Sequence, residues 1–283
     1  MENQNTTYGQ TLGIRLLRKL ANEGLMVFSS ADACRIGSSL GISSSYLGAL
    51  IPQLANSGWL IRLRRGLYTI TGSLAGNIHV HPFAVATQVV QPSAISHWSA
   101  MHHHGLTEQI PQRISAITPK KVVTPSMRKP SDNNRKEHHI WEIRGIKYEY
   151  VTVKPEHFYG IEELWIDENF RVPITDRERT ILDLFVNPRH FGGMGEALAV
   201  LEEHLQNINL PRLVDYAVRY DTDSAAKRLG WSLEQAGVSR EITAPLAAMP
   251  ASGFRILDPT RSHHGPCDKR WRIQNNLKEE IVR

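Results

Sequence analysis

Four of the thirteen histidines in this 283-residue chain fall within eight positions, in the stretch "HWSAMHHHGLTEQ" that begins at His97. Imidazole nitrogens bind zinc, so such a cluster is one signature of a metal centre. His97 and His104 lie seven residues apart, a spacing that brings both side chains to one side of a helix. The stretch has no His-Glu-x-x-His spacing, and a third ligand would have to come from elsewhere, such as His138 or His139.

The same histidines also have a structural interpretation. Histidines are common near helix C-termini, because imidazolium meets the negative end of the helix dipole and can cap free carbonyls. Gly105 follows the cluster directly and is a typical residue for ending a helix. We therefore predict a structural helix end here and no metal site.

Three further patterns resemble ligand-binding or catalytic motifs without completing one. "FGGMGEAL" places glycines before a helix but lacks the lysine and the preceding apolar strand of a phosphate-binding loop. "YDTDS" pairs Asp221 with Asp223, where helix capping by Asp223 is the simpler explanation. Cys34 and Cys267 are far apart, and Cys34 has the surroundings of a core residue. The sequence therefore predicts no catalytic residue and no cofactor, and hence a protein that is not an enzyme.

The composition is that of a globular protein large enough for two domains. Hydrophobic residues make up 41% and charged residues 22% of the chain, which are ordinary values for core-forming domains. No apolar run reaches the roughly 18 residues that a membrane helix needs. The first residues, "MENQNTTYGQ", lack the order of a signal peptide. With only two cysteines, the chain is expected to be cytoplasmic and not associated with a membrane.

The positive charge is concentrated at the N-terminus. Residues 1–75 hold seven Lys or Arg against three Asp or Glu, whereas residues 76–283 hold 26 against 25. A small basic segment joined to a nearly neutral body is typical of a nucleic-acid-binding module. We therefore expect a DNA-binding domain over 1–75 and a second domain over 76–283.

The element order within 1–75 predicts a winged helix-turn-helix. Apolar residues at helical spacing indicate three helices, with Ser29 and Asp32 in capping-box spacing before the second and Ser43 before the third. The segment "WLIRLRRGLYTI" then predicts two short strands around a basic turn. Pro52 lies inside the third helix, which we expect to bend there without breaking, because Gly48 leaves room four residues earlier.

This fold places two groups of residues against DNA. The third helix enters the major groove, and the hairpin, or wing, meets phosphates or the minor groove. The candidate DNA-binding residues are Ser44, Ser45, Tyr46 and Gln53 on the helix and Arg62, Arg64 and Arg65 on the wing. A winged helix used for protein contacts is the alternative, and the three arginines favour DNA.

Residues 76–283 indicate a larger mixed α+β domain. We expect a linker around "ITGSLAGNIH", a helix from Pro82, a second helix from Pro92 to Gly105, and then an antiparallel set of extended segments with turns at Pro125 and Gly145. Segment 119–147 holds eight Lys or Arg against three acids, which we interpret as a solvated hairpin face with a mobile loop. Helices follow from Thr175, paired with Glu178 in capping-box spacing, and strands return at the end of the chain.

Three stretches together resemble the AbiEi family of antitoxins: "GWLIRLRRGLYTI", "PSAISHWSAMHHHGLTEQIP" and "ITDRERTILDLFVNP". The resemblance spans nearly the whole chain, and "GLTEQIP" and "TDRERTILDLF" are its more specific parts. It implies a bacterial type IV toxin–antitoxin system, of the kind linked to phage abortive infection. The N-terminal module would then repress its own operon by binding operator DNA at inverted repeats, and the C-terminal domain would neutralise a nucleotidyltransferase-like toxin. Arg62, Arg64 and Arg65 carry over as wing positions.

Two other functions stay open on the sequence alone. The larger domain could act as a sensor, which would make the protein a ligand-responsive winged-helix repressor. The histidine cluster could also belong to a His-dependent metalloenzyme with an accessory winged domain.

Overall fold

A computed structural model describes residues 2–71, 80–124, 127 and 140–277. The chain divides into two compact units, which are described separately. The N-terminal unit runs to Gln91 and includes segments 143–146 and 164–172, and the C-terminal unit comprises the remainder from Pro92. The predicted domain boundary at residues 75 and 76 falls in 72–79, outside the described residues, and stays a prediction. The predicted mixed α+β class is confirmed.

The N-terminal unit has the predicted order of helix, strand, helix, turn, helix and hairpin. Its three strands form an antiparallel sheet in the order β1-β3-β2. The bounds are α1 (Glu2–Asn22), β1 (Val27–Ser29), α2 (Ser30–Ser39), α3 (Ser44–Asn56), β2 (Leu60–Arg64), β3 (Leu67–Ile70) and α4 (Pro82–Val89).

Both predicted helix caps of this unit are present. The backbone N–H of Asp32 donates to Ser29 Oγ at 3.1 Å, and the N–H of Ser29 donates to Asp32 Oδ2 at 2.9 Å. The hydrogen bonds from Ser29 hold the pKa of the Asp32 carboxyl below its usual value. Ser43 Oγ accepts from the N–H of Tyr46 at 3.3 Å. Because each cap satisfies an N–H that the helix leaves free, these residues fix where α2 and α3 begin.

Glycines let α3 pack closely on the other two helices. A Cβ at Gly37 of α2 would lie 2.6 Å from Leu47 Cδ1, and one at Gly13 of α1 would lie 2.8 Å from Leu54 Cδ2. These close approaches hold the buried face of α3 against α1 and α2, and its other face is left to solvent. The helix runs unbroken through Pro52, as predicted, and the expected bend there stays a prediction.

Most residues of a six-stranded sheet, in the order β6-β7-β5-β4-β9-β8, belong to the second unit, which also contains a small sheet in the order β10-β12-β11. The strands are β4 (Ala94–Ile95), β5 (Ile114–Thr118), β6 (Ile140–Ile143), β7 (Ile146–Thr152), β8 (Ile161–Trp165), β9 (Arg171–Thr175), β10 (Arg255–Ile256), β11 (Cys267–Asp268) and β12 (Ile273–Gln274). The helices are α5 (His97–His103), α6 (Arg177–Val186), α7 (Met194–His204), α8 (Leu210–Tyr220), α9 (Asp223–Gln235) and α10 (Arg240–Ala248).

The sheet corrects two predictions. The helix expected from Pro92 to Gly105 begins only at His97, because Ala94 and Ile95 form a fully buried strand between β5 and β9. The expected antiparallel set is also wrong in part, since β5 and β7 run parallel with Ser115 opposite Glu149. Both differences depend on pairing partners that are distant in sequence.

Helix α6 is buried along most of its length. Its apolar residues Ile181, Leu182, Leu184 and Phe185 are all fully buried. The predicted cap is wrong by one residue: Asp176 caps the helix by accepting from the N–H of Arg179 at 2.7 Å. Thr175 belongs to β9, where its hydroxyl bonds the hydroxyl of Thr180.

Within the described part of the chain, no helix is long and apolar enough to cross a membrane.

Candidate nucleic-acid interface

The first turn of α3 presents its polar side chains to solvent. Ser44, Ser45 and Tyr46 are all exposed, whereas Leu47 is buried. Ser45 Oγ lies 3.1 Å from Ser43 Oγ, within hydrogen-bond distance of the cap. The turn that a helix-turn-helix inserts into the major groove is therefore accessible in this unit.

Gln53 continues this exposed face two turns later. Its side chain is exposed, as are Ala49 and Pro52 beside it. No hydrogen bond of the Gln53 amide group occurs among the residues that the structure describes. An amide with both a donor and an acceptor free is suited to reading a base edge.

The wing is short, and two of its arginines are unengaged. Strands β2 and β3 are joined by Arg65 and Gly66, and Gly66 takes the left-handed conformation that this turn requires, with φ at +73°. Arg62 and Arg65 are exposed. Across the described ranges, neither guanidinium group makes an ion pair or a hydrogen bond. Both are thus available to phosphate groups.

Arg64 differs from its two neighbours. Its Nε donates to the backbone oxygen of Val89 at 3.0 Å, near the C-terminal end of α4. A guanidinium at this end satisfies a free carbonyl and meets the negative pole of the helix. Part of the Arg64 side chain therefore positions α4, a role that sequence reasoning missed because Val89 lies 25 residues away.

Helix α4 is also fixed at its start. Pro82 occupies the first turn as predicted, and His81 Nδ1 accepts a hydrogen bond from the N–H of Phe83 at 3.1 Å. Burial lowers the pKa of His81, and the charge of Asp167 acts in the opposite direction. The cap requires a neutral ring, since Nδ1 must carry a free lone pair.

Residues 15–71 match the family described as "Transcriptional regulator, AbiEi antitoxin". This match confirms the AbiEi resemblance for the stretch "GWLIRLRRGLYTI". The other two stretches lie outside residues 15–71, and their resemblance stays a prediction. The match covers the winged module from Arg15 onward, including every candidate DNA-binding residue. The chain is also similar to the crystal structure of the RV2827C protein from Mycobacterium tuberculosis, with a TM-score of 0.61 and 15% identity over 93% of this chain and 90% of that one. At this identity the likeness shows the fold alone. No curated protein matches the chain.

Outside residues 15–71, the clustered histidines take separate structural positions. His97 is buried at φ +52°, stacks on Phe191 with 5.3 Å between ring centroids, and lies 2.8 Å from Ser96 Oγ through Nδ1. Burial lowers the pKa of His97 to about 4. His104 Nε2 lies 2.7 Å from the backbone oxygen of Thr175.

The remaining members of that cluster do not complete a metal site in the described residues. His102 and His103 are exposed, and Gly105 ends the helical turn with φ at +65°. In the described ranges no three His, Cys, Asp or Glu side chains are grouped to hold a metal ion. His138 and His139 lie outside those ranges.

The two other motifs also have structural roles. At "FGGMGEAL", the carboxylate of Asp258 accepts from the N–H of Met194 at 3.1 Å and so occupies the N-terminus of α7. Burial would raise the pKa of Asp258, but hydrogen bonds from Thr260 and Met194 outweigh it and lower the pKa. At "YDTDS" the predicted cap is wrong, because Thr222 precedes the helix and Asp223 pairs with Arg255 at 2.5 Å.

Helix α6 contains a buried ion pair. Arg179 Nε donates to Asp183 Oδ1 at 3.0 Å, and Arg179 Nη1 donates to the backbone oxygens of His157 and Tyr159. Arg179 Nη2 and Asp183 Oδ2 are buried without a hydrogen bond to any described residue. The sequence shows only an Arg and an Asp four residues apart, a spacing more often found on exposed helix faces.

The loop carrying "GLTEQIP" borders an open groove of about 490 Å³. Leu106 anchors this loop in the core, whereas Ile110 is 76% exposed. Trp98 Nε1 donates to the backbone oxygen of His190 at 2.9 Å, which fixes the opposite wall. The groove is lined by Trp98, Gln109, Ile110, Pro111, Gln112, Arg113, Ser115, Glu149, Arg189 and His190.

Proposed function

We propose that this protein is a DNA-binding antitoxin of a bacterial type IV toxin–antitoxin system. Its winged module binds operator DNA at inverted repeats upstream of its own operon and represses transcription, and the C-terminal domain neutralises a nucleotidyltransferase-like toxin. The observation that carries the DNA-binding part is the pair of unengaged guanidinium groups, Arg62 and Arg65, on the wing that follows α3. The match of residues 15–71 to an antitoxin and regulator family supports both parts.

The wing arginines and the exposed side chains of α3 have different roles in this proposal. Arg62 and Arg65 lie on an exposed hairpin and can each release a counterion by binding a phosphate. The exposed side chains of α3 are short or neutral and suit base edges better than phosphates. Arg64 contributes less to DNA, since its Nε is bonded to Val89.

DNA binding is tested by titrating the full chain against the region upstream of its gene. Arg65→Ala is expected to weaken binding, and more strongly at low salt, because it removes one phosphate contact. Arg240→Ala is the matched control: Arg240 is exposed on α10 of the C-terminal unit, so the change in net charge is the same. Equal losses for the two variants would contradict the assignment.

The antitoxin part is tested by co-expression with the neighbouring gene, with the chain under an unrelated promoter. Wild-type protein and Arg65→Ala are both expected to rescue growth, because neutralisation is assigned to the C-terminal domain. Only wild-type protein should repress a reporter placed behind the upstream region. Failure of wild-type protein to rescue growth from a toxic neighbour would refute the antitoxin role.

The groove beside Ile110 favours one second candidate, a ligand-responsive repressor. Its fixed wall at Trp98 and its mixed polar and apolar lining are suited to a small molecule. Mass spectrometry of purified protein under native and denaturing conditions distinguishes the two functions. A small molecule that is bound by wild-type protein, lost from Ile110→Asp and able to change operator affinity would favour the sensor.

A further inference from the structure

The exposed face of α3 carries no charge. All thirteen residues of the helix, "SSYLGALIPQLAN", lack Asp, Glu, Lys and Arg. The four apolar side chains at Leu47, Leu50, Ile51 and Leu54 are buried. The exposed residues are Ser44, Ser45, Tyr46, Gly48, Ala49, Pro52, Gln53 and Asn56.

This set restricts which bases α3 can read. The commonest contact to guanine is a bidentate Arg or Lys to O6 and N7, and the helix offers neither residue. Gln53 has the geometry for a bidentate contact to N6 and N7 of adenine. Ala49 and the ring of Pro52 form a small apolar surface, of the kind that packs against the methyl group of thymine.

The spacing of these residues matches neighbouring base pairs. Ala49 and Gln53 are four residues apart on one face, which is about 6 Å along a helix. That distance is close to two base-pair steps of about 3.4 Å each. Pro52 has no backbone N–H to donate to Gly48, and the apolar surface consists of the Ala49 methyl group and the Pro52 ring.

We propose that the half-site recognised by α3 contains A·T pairs at its centre. An adenine lies opposite Gln53, and a thymine within two base pairs has its methyl group against Ala49 and Pro52. This inference rests on the proposed DNA-binding function. It assigns base recognition to α3 and phosphate binding to the wing.

The test is selection of duplexes by the full chain from a randomised library. Wild-type protein is expected to enrich an adenine that Gln53→Ala no longer selects, and Gln53→Arg should replace that adenine with guanine. Arg65→Ala is the matched control, since it should lower affinity without changing the selected sequence. Gln53 is exposed, so these variants leave the core intact.

Two base analogues in the selected duplex measure the contacts directly. Replacing the adenine with 7-deazaadenine removes one of the two hydrogen bonds and is expected to weaken wild-type binding about 2- to 10-fold, while leaving Gln53→Ala unaffected. Replacing the thymine with uracil should weaken binding about fourfold, the value of one buried methyl group.

The outcomes separate this inference from the function on which it rests. If no sequence is enriched and no duplex binds, the DNA-binding function fails and the half-site fails with it. If a sequence is enriched but Gln53→Ala selects the same one, or if the position sensitive to Gln53 is G·C, the half-site inference is overturned and the DNA-binding function stands.

Discussion

The three wing arginines should respond differently to substitution, although they are separated by at most three positions. Arg62 and Arg65 are exposed and unengaged in the described structure, whereas Arg64 Nε donates to Val89 at the end of α4. We predict that Arg62→Ala and Arg65→Ala change the salt dependence of operator binding. Arg64→Ala should instead act mainly on the stability of α4.

The expected change in the salt dependence follows from counterion release. Each lost phosphate contact reduces the slope of log K against log salt by about 0.9. A rise from about 50 to 200 mM salt therefore weakens wild-type binding about 3.5-fold more than it weakens a variant lacking one contact. Arg64→Ala removes a partly exposed, charge-assisted hydrogen bond to a helix end, worth about 1 kcal/mol.

Two measurements test this difference between Arg64 and the other two arginines. Fluorescence anisotropy at four salt concentrations gives the slopes, and hydrogen exchange of the amides in α4 reports its local opening. Arg64→Ala should speed exchange near Val89, and Arg62→Ala should leave it unchanged. The reasoning is refuted if Arg64→Ala alters the salt slope as much as Arg65→Ala and leaves exchange in α4 as in wild type.

Three further predictions concern the C-terminal unit. Arg179→Met leaves the buried Asp183 carboxylate without its ion-pair partner and should lower the free energy of unfolding by about 3–5 kcal/mol in urea titrations. Adding Asp183→Leu should recover part of the loss. A loss below about 1 kcal/mol in the single variant would contradict this. Gly230→Ala should destabilise by about 1–3 kcal/mol or more, since its Cβ would lie 2.1 Å from Trp271 Cζ3, and an unchanged Tm would count against it. The buried His97 stays neutral in the folded protein, while in the unfolded chain it is protonated below about pH 6.5. Its contribution to the free energy of unfolding is therefore complete above that pH and falls by about 2 kcal/mol by pH 5. Tm measured from about pH 7.5 to 5 should decline less in His97→Asn than in wild type, and parallel declines would refute this account.

Local features of the fold could be predicted from the sequence because their causes are local. The caps at Ser29 and Ser43 each satisfy an N–H three residues away, and Pro82 starts α4 through its own restricted backbone. Helix α10 is harder to predict, because it contains Pro245, a residue that ordinarily argues against a helix interior.

Features that depend on distant partners could not be predicted. Ala94 and Ile95 lie between two serines in a segment whose pattern also fits a helix, and only pairing with β5 and β9 makes them a strand. The candidate interface also has one part that the sequence predicts and one part that it does not. The sequence shows the arginines of the wing, but the difference between Arg64 and its neighbours is set by Val89 in a helix beyond the hairpin.

The low charge of α3 explains why the proposed operator would need two half-sites, arranged as inverted repeats, for tight binding. In the proposed complex the two unengaged wing arginines release few counterions, so one winged module alone should bind non-specific DNA weakly at physiological salt. The proposed neutral contacts of Gln53 and Ala49 would add discrimination between sequences but only modest affinity. Two modules on neighbouring half-sites combine their free energies, and the second binds at the high effective concentration set by the first. A full repeat should therefore bind far more tightly than a half-site, and the ratio of the two affinities should persist in Arg240→Ala.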